Sequence, residues 1–558
     1  MSEKEKRDAN LLEKIVSLCK RRGFIYPGSE IYGGLAGTYD YGPLGVALKN
    51  NLKNLWWKNF VSNREDMYGL DAAIIMNPKT WEASGHVAGF ADPLIGCLTC
   101  SEKFRTDHLI DTKAFNEYRL NLVREHWREI MDVSEKMVTE TEGNKEYLSK
   151  VESAIKVLEQ NNLPKDIEEI MASALKAHML ASVSKARKNL KDLVAEIKPS
   201  AAPEGFSETK NFSGHLTQLF LAENKIKCPN CGSIEWNVPS QFNMMLKTNV
   251  GVVDDLSSTT YLRPETAQGM FVNFKNIIDS FHPKLPFGLA QIGKAFRNEI
   301  APRDFLFRTR EFEQMEVEYF VKAEDWQKYF EEWRVLIQNY FAEIGLDSSH
   351  VHELEVPDGD RAHYSARTID FEFDFSFGKK ELSGLAYRSD YDLKQHQEFS
   401  KQDLTYFDEE SKTRFLPHVI EPSLGLDRIL LAVLTDAYTE DELGGEARTY
   451  LKLNKNIAPV RLAIFPLLKN KPDLVNKARE VYQNLKVQMP HQTVVFDDNG
   501  NIGKRYRRQD EIGTPHCITI DFDTLGEGGE DKKDTVTVRD RDTGEQERVK
   551  ISELTSKL

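Results

Sequence analysis

The chain has 558 residues, enough for about three or four domains, and 40% of them are hydrophobic, as in a globular protein with a sizeable core. No run of about 18 apolar residues occurs and the charged start Met1–Lys6 lacks an apolar stretch, so neither a membrane span nor a signal peptide is expected. A net charge of −14 weighs against nucleic acid as a partner of the whole surface without fixing local patches, and six cysteines cannot staple a chain this long.

In chain order, Leu11, Leu12, Ile15, Val16 and Cys19 recur at helical spacing and predict a helix over 9–22. A Gly- and Tyr-rich segment, 32–43, follows and reads as turns with close backbone approach. Residues 44–61 read as a helix, and 67–76 as a strand ending at Pro78. From about 111 to 200 the composition shifts to Lys, Glu, Leu and Ala, with Gly143 its single glycine. That stretch reads as helices broken near Gly143 and Pro164. It is either a solvated insertion or, through Lys185-Ala186-Arg187-Lys188, a grip on an RNA stem.

Residues 285–320 alternate around Pro302-Arg303-Asp304 and predict a long antiparallel hairpin. A helix is expected over 324–344. Strand character returns over 366–391, where Ile369, Phe371, Phe373 and Phe375 alternate and Gly378-Lys379-Lys380 reads as a turn. A helix is expected over 424–439. After a break near Asn454–Pro459, a strand at Val460–Pro466, a helix at 472–487 and strands at Thr493–Phe496 and Cys517–Asp521 predict a small α/β domain. The acidic, Gly-rich 523–534 segment reads as a mobile hairpin loop. The expected divisions are 1–110, an insertion at 111–205, a core at 206–455 and a C-terminal domain at 456–558.

Three arginines stand on separate elements: Arg297 in Phe296-Arg297-Asn298-Glu299, Arg308 in Arg308-Thr309-Arg310-Glu311-Phe312, and Arg428 in Gly425-Leu426-Asp427-Arg428. A guanidinium is permanently charged and binds phosphate oxygens in pairs, so the set suits a bent triphosphate. No GxxxxGK[ST] phosphate cradle is present. Arg428 would lie in the first turn of a helix, where free N–H groups favour an anion. Each arginine alone would more often be a surface ion pair.

These segments, in this order, resemble motifs 2 and 3 of the class II aminoacyl-tRNA synthetases. The resemblance implies that Arg297, Asn298, Glu299, Phe307, Arg308, Phe312, Glu381, Leu382, Gly425, Asp427 and Arg428 surround ATP. Arg297, Arg308 and Arg428 would be catalytic, Phe312 would stack on adenine, and Glu381 would hold an ATP-bound Mg²⁺. Arg263-Pro264-Glu265-Thr266-Ala267-Gln268-Gly269, with Glu313-Gln314-Met315-Glu316 and Glu421-Pro422-Ser423, is similar to the glycine-recognising segments of glycyl-tRNA synthetases of the homodimeric type. It implies a glycine pocket of Arg105, Arg263, Glu265, Phe312, Glu313, Glu316, Glu421 and Ser423. Carboxylates suit an ammonium, and a tight wall excludes anything beyond Cα. The family fold is an α/β arrangement, an antiparallel sheet flanked by helices, with residues 44–78 at the dimer interface. The implied partners are glycine, ATP, Mg²⁺, tRNA-Gly and a second copy of the chain, in the cytoplasm. The alternatives are the same chemistry on threonine, serine or proline, and a non-catalytic synthetase-like RNA-binding protein.

Cys97-Leu98-Thr99-Cys100 and Cys228-Pro229-Asn230-Cys231-Gly232 form two CxxC knuckles that fit a closed, structural Zn²⁺ site, if the chain between them loops out and returns. Four buried thiols without metal are the alternative. Lys504, Arg505, Arg507 and Arg508 surround Tyr506 in a segment, 500–515, that resembles the anticodon-binding domain of class IIa synthetases. RNA contact and structural support are equally open for it.

Overall fold

The computed structural model describes residues 10–106, 109–111, 114, 115, 117, 118, 212–252 and 258–558. Nearly all of the expected insertion at 111–205, with Lys185-Ala186-Arg187-Lys188, lies outside them, as do Asp107 and His108. The chain divides into two compact units, one of residues 1–90 with 244–558 and one of residues 91–243.

The first unit is organised by a seven-stranded sheet. Its strands are β1 (Met67–Gly69), β2 (Phe287–Phe296), β3 (Glu311–Val321), β4 (Val351–Glu355), β5 (Arg367–Phe375), β6 (Gly378–Ser389) and β7 (His418–Gly425). Their spatial order is β4-β5-β6-β7-β3-β2-β1, and every pair is antiparallel except β1 with β2. The expected hairpin over 285–320 is present as β2 and β3.

Alternation along β3 decides what each face does. Met315, Val317 and Tyr319 enter a large apolar core, whereas Gln314, Glu316 and Glu318 point to the other face. That core also holds Leu48, Leu52 and Trp56 of α1 (Pro43–Trp57), Phe330, Trp333 and Ile337 of α2 (Trp326–Glu343), and Leu430 and Leu434 of α3 (Leu426–Ala437). Phe371, Phe373 and Phe375 of β5 join it, as their spacing predicts. Burying a side chain of this size contributes ~2 kcal/mol each, so this face holds the sheet flat against its helices. On the opposite face the helix Ala267–Phe281 packs Met270, Phe271 and Phe274 on Phe287, Leu289 and Phe320. The pocket opens beside this helix.

Three local expectations are corrected. Only Met67–Gly69 pairs as strand, and Pro78 opens a short helix, Pro78–Ala83, where its missing N–H costs nothing. Gly378-Lys379-Lys380 already belongs to β6, so the turn is Ser376-Phe377. The helix at 44–61 is α-helical to Trp57 and closes with a π-turn over Lys58–Ser62.

The C-terminal part has a five-stranded sheet of β8 (Leu462–Pro466), β9 (Val494–Phe496), β10 (His516–Ile520), β11 (Thr535–Asp540) and β12 (Gln546–Lys550), in the order β9-β8-β10-β11-β12. Its core is Leu474, Val481 and Leu485 of Pro472–Gln488 against Leu462, Ile464, Ile518 and Val538. A second helix there, Ile502–Glu511, is capped by the Asn501 side chain on the Lys504 N–H at 2.9 Å.

The second unit carries a three-stranded sheet of Ala91–Gly96, Lys103–Arg105 and Ser240–Asn243, and a helix at Phe212–Glu223. No helix among the described residues is long and apolar enough to cross a membrane.

Candidate active site

One cavity of ≈ 360 Å³ opens over β3, β5, β6 and β7. That is the size range of small-ligand pockets. Its rim collects the three arginines from three places. Arg297 follows the end of β2, Arg308 follows the short turn Phe305–Phe307, and Arg428 lies in the first turn of α3. Arg297 donates to the Pro264 carbonyl at 3.2 Å and lies 5.2 Å from the Phe312 ring. Arg308 pairs with Glu299 at 3.9 Å. Arg428 pairs with Glu381 at 3.1 Å and lies 4.4 Å from the Phe307 ring. The charge of Arg428 first, and then those of Arg297 and Arg308, hold the Glu381 carboxyl below the usual range against the opposing effect of burial. Asp370, on β5, lines the same end and is pushed up to about 7, by burial first and then by Glu381 and Glu372. Two carboxyls that repel each other beside a rim of arginines are the donor set that one Mg²⁺ with phosphate oxygens would suit.

The other end is acidic. Glu265, Glu316, Glu421 and Ser423 line it. Glu316 accepts from Ser423 at 2.7 Å and from the Thr266 hydroxyl. Glu265 accepts from Gln268 at 3.0 Å and faces His86 Nε2 at 3.3 Å. Arg388 is 1% exposed; it grips Asp392 with two bonds, 2.7 and 2.8 Å, and donates to Glu421. Burial opposes ionisation of Glu265, yet the charge and hydrogen bond of His86, with Arg388 and Gln268, hold it well below the usual range. Glu316 is raised, by burial first and then by the charge of Glu265. Glu421 is pushed up to about 8, by burial first, against the pull of Arg388. The result is an enclosed wall with more carboxyls than cations, ready for one ammonium.

Four residues expected in the site do other work, and a fifth, Arg105, lies in the second unit. Glu313 is three positions from Glu316 on one strand and so faces the other side, where it pairs with Lys49 at 2.9 Å and Lys53 at 3.2 Å. Arg263 is buried and spends its guanidinium on the Lys294 and Ala72 carbonyls, at 2.6 and 2.7 Å. It lies so close to Gly293 that a Cβ there would meet it at 2.3 Å. Asn298 is tied by its N–H to the Met244 carbonyl at 2.7 Å and is not among the residues lining the cavity. Asp427 reaches the lining, but its carboxylate accepts the Glu313 N–H at 2.7 Å and the Tyr41 hydroxyl. Arg105 belongs to the second unit and is bound to Asp92 at 2.6 Å. Conversely, no motif in the sequence pointed to Arg388, Asp392, His86, Tyr364 or Asp370.

In the second unit the four expected cysteines converge, their sulfur atoms all within 4.8 Å of one another. Cys97 and Cys231 are 3.5 Å apart and Cys100 and Cys228 3.7 Å. A tetrahedral Zn²⁺ with bonds of ~2.3 Å spaces its sulfurs ~3.8 Å apart, so the residues fit that ion. The Cys100 backbone N–H first, and that of Thr99 after it, hold the Cys97 thiol down to about 6, favouring the thiolate a metal needs.

Of the basic cluster near the C-terminus only Arg505 is internal. Arg505 is buried and donates to the carbonyls of Pro466, Asp498 (3.1 Å) and Gly500 (2.8 Å). Arg508 pairs with Asp497 at 2.6 Å and Arg507 with Glu446 at 3.2 Å. Tyr506 packs on Phe465 and bonds Thr519 at 2.6 Å. Lys504 is exposed.

Two family models match: the tRNA synthetase class II core domain (G, H, P, S and T) over 247–437 and the anticodon binding domain over 461–558. Curated relatives run the length of the chain. A glycine–tRNA ligase of Caldanaerobacter subterraneus subsp. tengcongensis is 41% identical over 97% of this chain and 96% of its own. One of Lachnospira eligens is 44% identical over 97% of each. One of Geobacillus thermodenitrificans is 42% identical over 98% of this chain and 96% of its own. Among solved structures, Giardia lamblia prolyl-tRNA synthetase in complex with prolyl-adenylate superposes with a TM-score of 0.57 at 13% identity, covering 99% of this chain and 75% of that one. At that identity the likeness concerns the fold.

Proposed function

This chain belongs to the glycine–tRNA ligase family, and on that premise we propose how its pocket performs the family's reaction. The enzyme activates glycine with ATP to glycyl-adenylate and pyrophosphate, then transfers the glycyl group to the 3′ end of tRNA-Gly. The observation that carries the residue assignment is the lining of one cavity, where Arg297, Arg308 and Arg428 gather with Glu299 and Glu381 and where Glu265, Glu316 and Glu421 converge.

Arg297 binds the α-phosphate, and Arg308 and Arg428 hold the terminal phosphates, with Phe312 stacking on adenine. Glu265, Glu316 and Glu421 hold the glycine ammonium, and Ser423 fixes Glu316. With the ammonium anchored there, the glycine carboxylate is aimed at the α-phosphorus. In-line attack then needs positioning and charge neutralisation more than a protein nucleophile. Arg297 neutralises the charge that develops on the α-phosphoryl oxygens. Mg²⁺, when bound, supplies further neutralisation of the phosphates, and Glu381 and Asp370 are the residues that would hold it. Four thiolates leave zinc no open position, so its part is structural. We assign residues 44–78 to a homodimer interface and 461–558 to the anticodon of tRNA-Gly. The retained arginines argue against a non-catalytic RNA-binding protein.

Amino-acid-dependent pyrophosphate exchange across the twenty amino acids tests this. Exchange with glycine alone is expected. Exchange with another amino acid would overturn the acidic-pocket assignment, and none with any would favour the non-catalytic reading. Sedimentation of the protein should give twice the chain mass; a monomer would remove the interface assignment.

A further inference from the structure

Strand pairing sets two carboxyls face to face at the acidic end of the pocket. β3 and β7 pair Glu316 with Ser423 and Tyr319 with Ile420, and that register puts Glu318 opposite Glu421. Directly opposed side chains in an antiparallel ladder start ~5 Å apart at Cβ, where like charges repel. Glu318 is 0% exposed, and neither of its carboxyl oxygens has a hydrogen-bond partner. A carboxylate buried without donors is costly; a carboxylic acid there is much less so. Glu421, in contrast, lines the cavity and accepts from Arg388.

The groups facing this pair come from every neighbouring element. Arg388 on β6 is shared with Asp392 of the following helix, Glu316 lies on the same strand, and Glu265 with His86 lies beyond it. His396 and Gln268 bond each other at 2.7 Å and leave Glu318 unserved. Burial first, and the charge of Glu421 after it, push Glu318 well above the usual carboxylate range.

We propose that Glu318 and Glu421 share one proton in the empty pocket and that the ammonium of the incoming amino acid displaces it. Glu318 is then a positioning residue, acting through Glu421. The inference rests on the reading of the acidic end as the ammonium site. In the step, a carboxyl O–H bond breaks and its electron pair stays on the Glu421 oxygen. That oxygen then accepts an ammonium N–H, and the proton passes to solvent. An empty pocket holding this proton carries less uncompensated charge than its carboxyl count suggests. Occupancy restores the full charge only where a cation balances it.

The test adds saturating glycine to the full-length protein in weakly buffered solution at pH 7 and reads proton release with a pH indicator. Glycolate, which lacks the ammonium, is the control. Roughly one proton per site is expected with glycine and none with glycolate. Glu318→Gln should cut the release by at least about half. It should also flatten the pH dependence of the glycine KM, from about tenfold per pH unit between pH 6 and 7 to less than about twofold. A merely structural Glu318 would leave that slope unchanged. Equal release from the variant and the unaltered protein, or from glycine and glycolate, would overturn the proposal. If the variant does not fold, the glycine–glycolate comparison still decides it. Glycine-dependent exchange without proton release rejects this inference alone; no exchange and no release rejects the site reading with it.

Discussion

Two groups of arginines look alike in this sequence and do opposite things. Arg297, Arg308 and Arg428 border a cavity, where Arg308 meets Glu299, Arg428 meets Glu381 and Arg297 donates to the Pro264 carbonyl. Arg505, Arg539 and Arg541 lie in the C-terminal part, where Arg539 locks onto Asp510 with bonds of 2.8 and 3.0 Å and Arg541 caps the carbonyls of Leu453 and Gly513. A guanidinium that is itself buried, with its donors on backbone carbonyls or a buried carboxylate, is already spent. One that borders open space can also reach a ligand. The density of basic residues therefore says less than the identity of their acceptors.

The contrast should appear most strongly in Arg297→Ala. Glycine-dependent pyrophosphate exchange is expected to fall by about 10²–10³-fold, with the melting temperature nearly unmoved, because only charge stabilisation at the phosphate is lost. A loss of fold instead would put Arg297 in the spent group. Arg505→Met should do the converse. Three carbonyls lose their donor, so urea unfolding should show the C-terminal part weakened by ~3 kcal/mol, with exchange per folded molecule within about twofold. Unfolding curves that coincide with those of the unaltered protein would break the distinction.

A smaller effect is expected at the Mg²⁺ end. With Asp370 raised to about 7, its carboxyl is neutral below that pH and charged above it. The Mg²⁺ concentration for half-maximal exchange should therefore rise severalfold as pH falls from about 8 to about 6. Asp370→Asn should remove that dependence, and an unchanged Mg²⁺ profile would take Asp370 out of the site. The smallest change is expected for Lys504→Ala. An exposed lysine near an anticodon-binding surface contributes one phosphate contact at most, so tRNA-Gly affinity should weaken by no more than about threefold. A larger loss would make the helix an RNA surface after all.

The legible parts of the sequence were those in which chemistry and spacing coincide. Permanently charged arginines in short motifs, two CxxC knuckles, and phenylalanines two apart on a strand each carry their meaning locally. Arg388, Asp392, His86 and Glu318 do not. Their environment is made by the register of β3, β6 and β7 and by packing from outside the strands, so no stretch of chain announces it. Glu313 teaches the same lesson in reverse. The motif likeness drew it into the pocket beside Glu316, yet three positions along a strand must face opposite ways. Period two alone could have separated them. Arg263 is subtler, because only the fold brings the Lys294 and Ala72 carbonyls and Gly293 around its guanidinium.

β3 turns Phe312, Gln314 and Glu316 to the cavity and Met315, Val317 and Tyr319 to the core. A slip of one position in its pairing would drive Glu316 and Glu318 among phenylalanines and bring Met315 and Val317 to the amino acid. Such a chain could neither close its interior nor recognise glycine. Folding thus proofreads the site: molecules that survive quality control are those whose pocket is correct, and a well-folded but promiscuous misregistered form is not available to burden translation with wrong aminoacyl-tRNA.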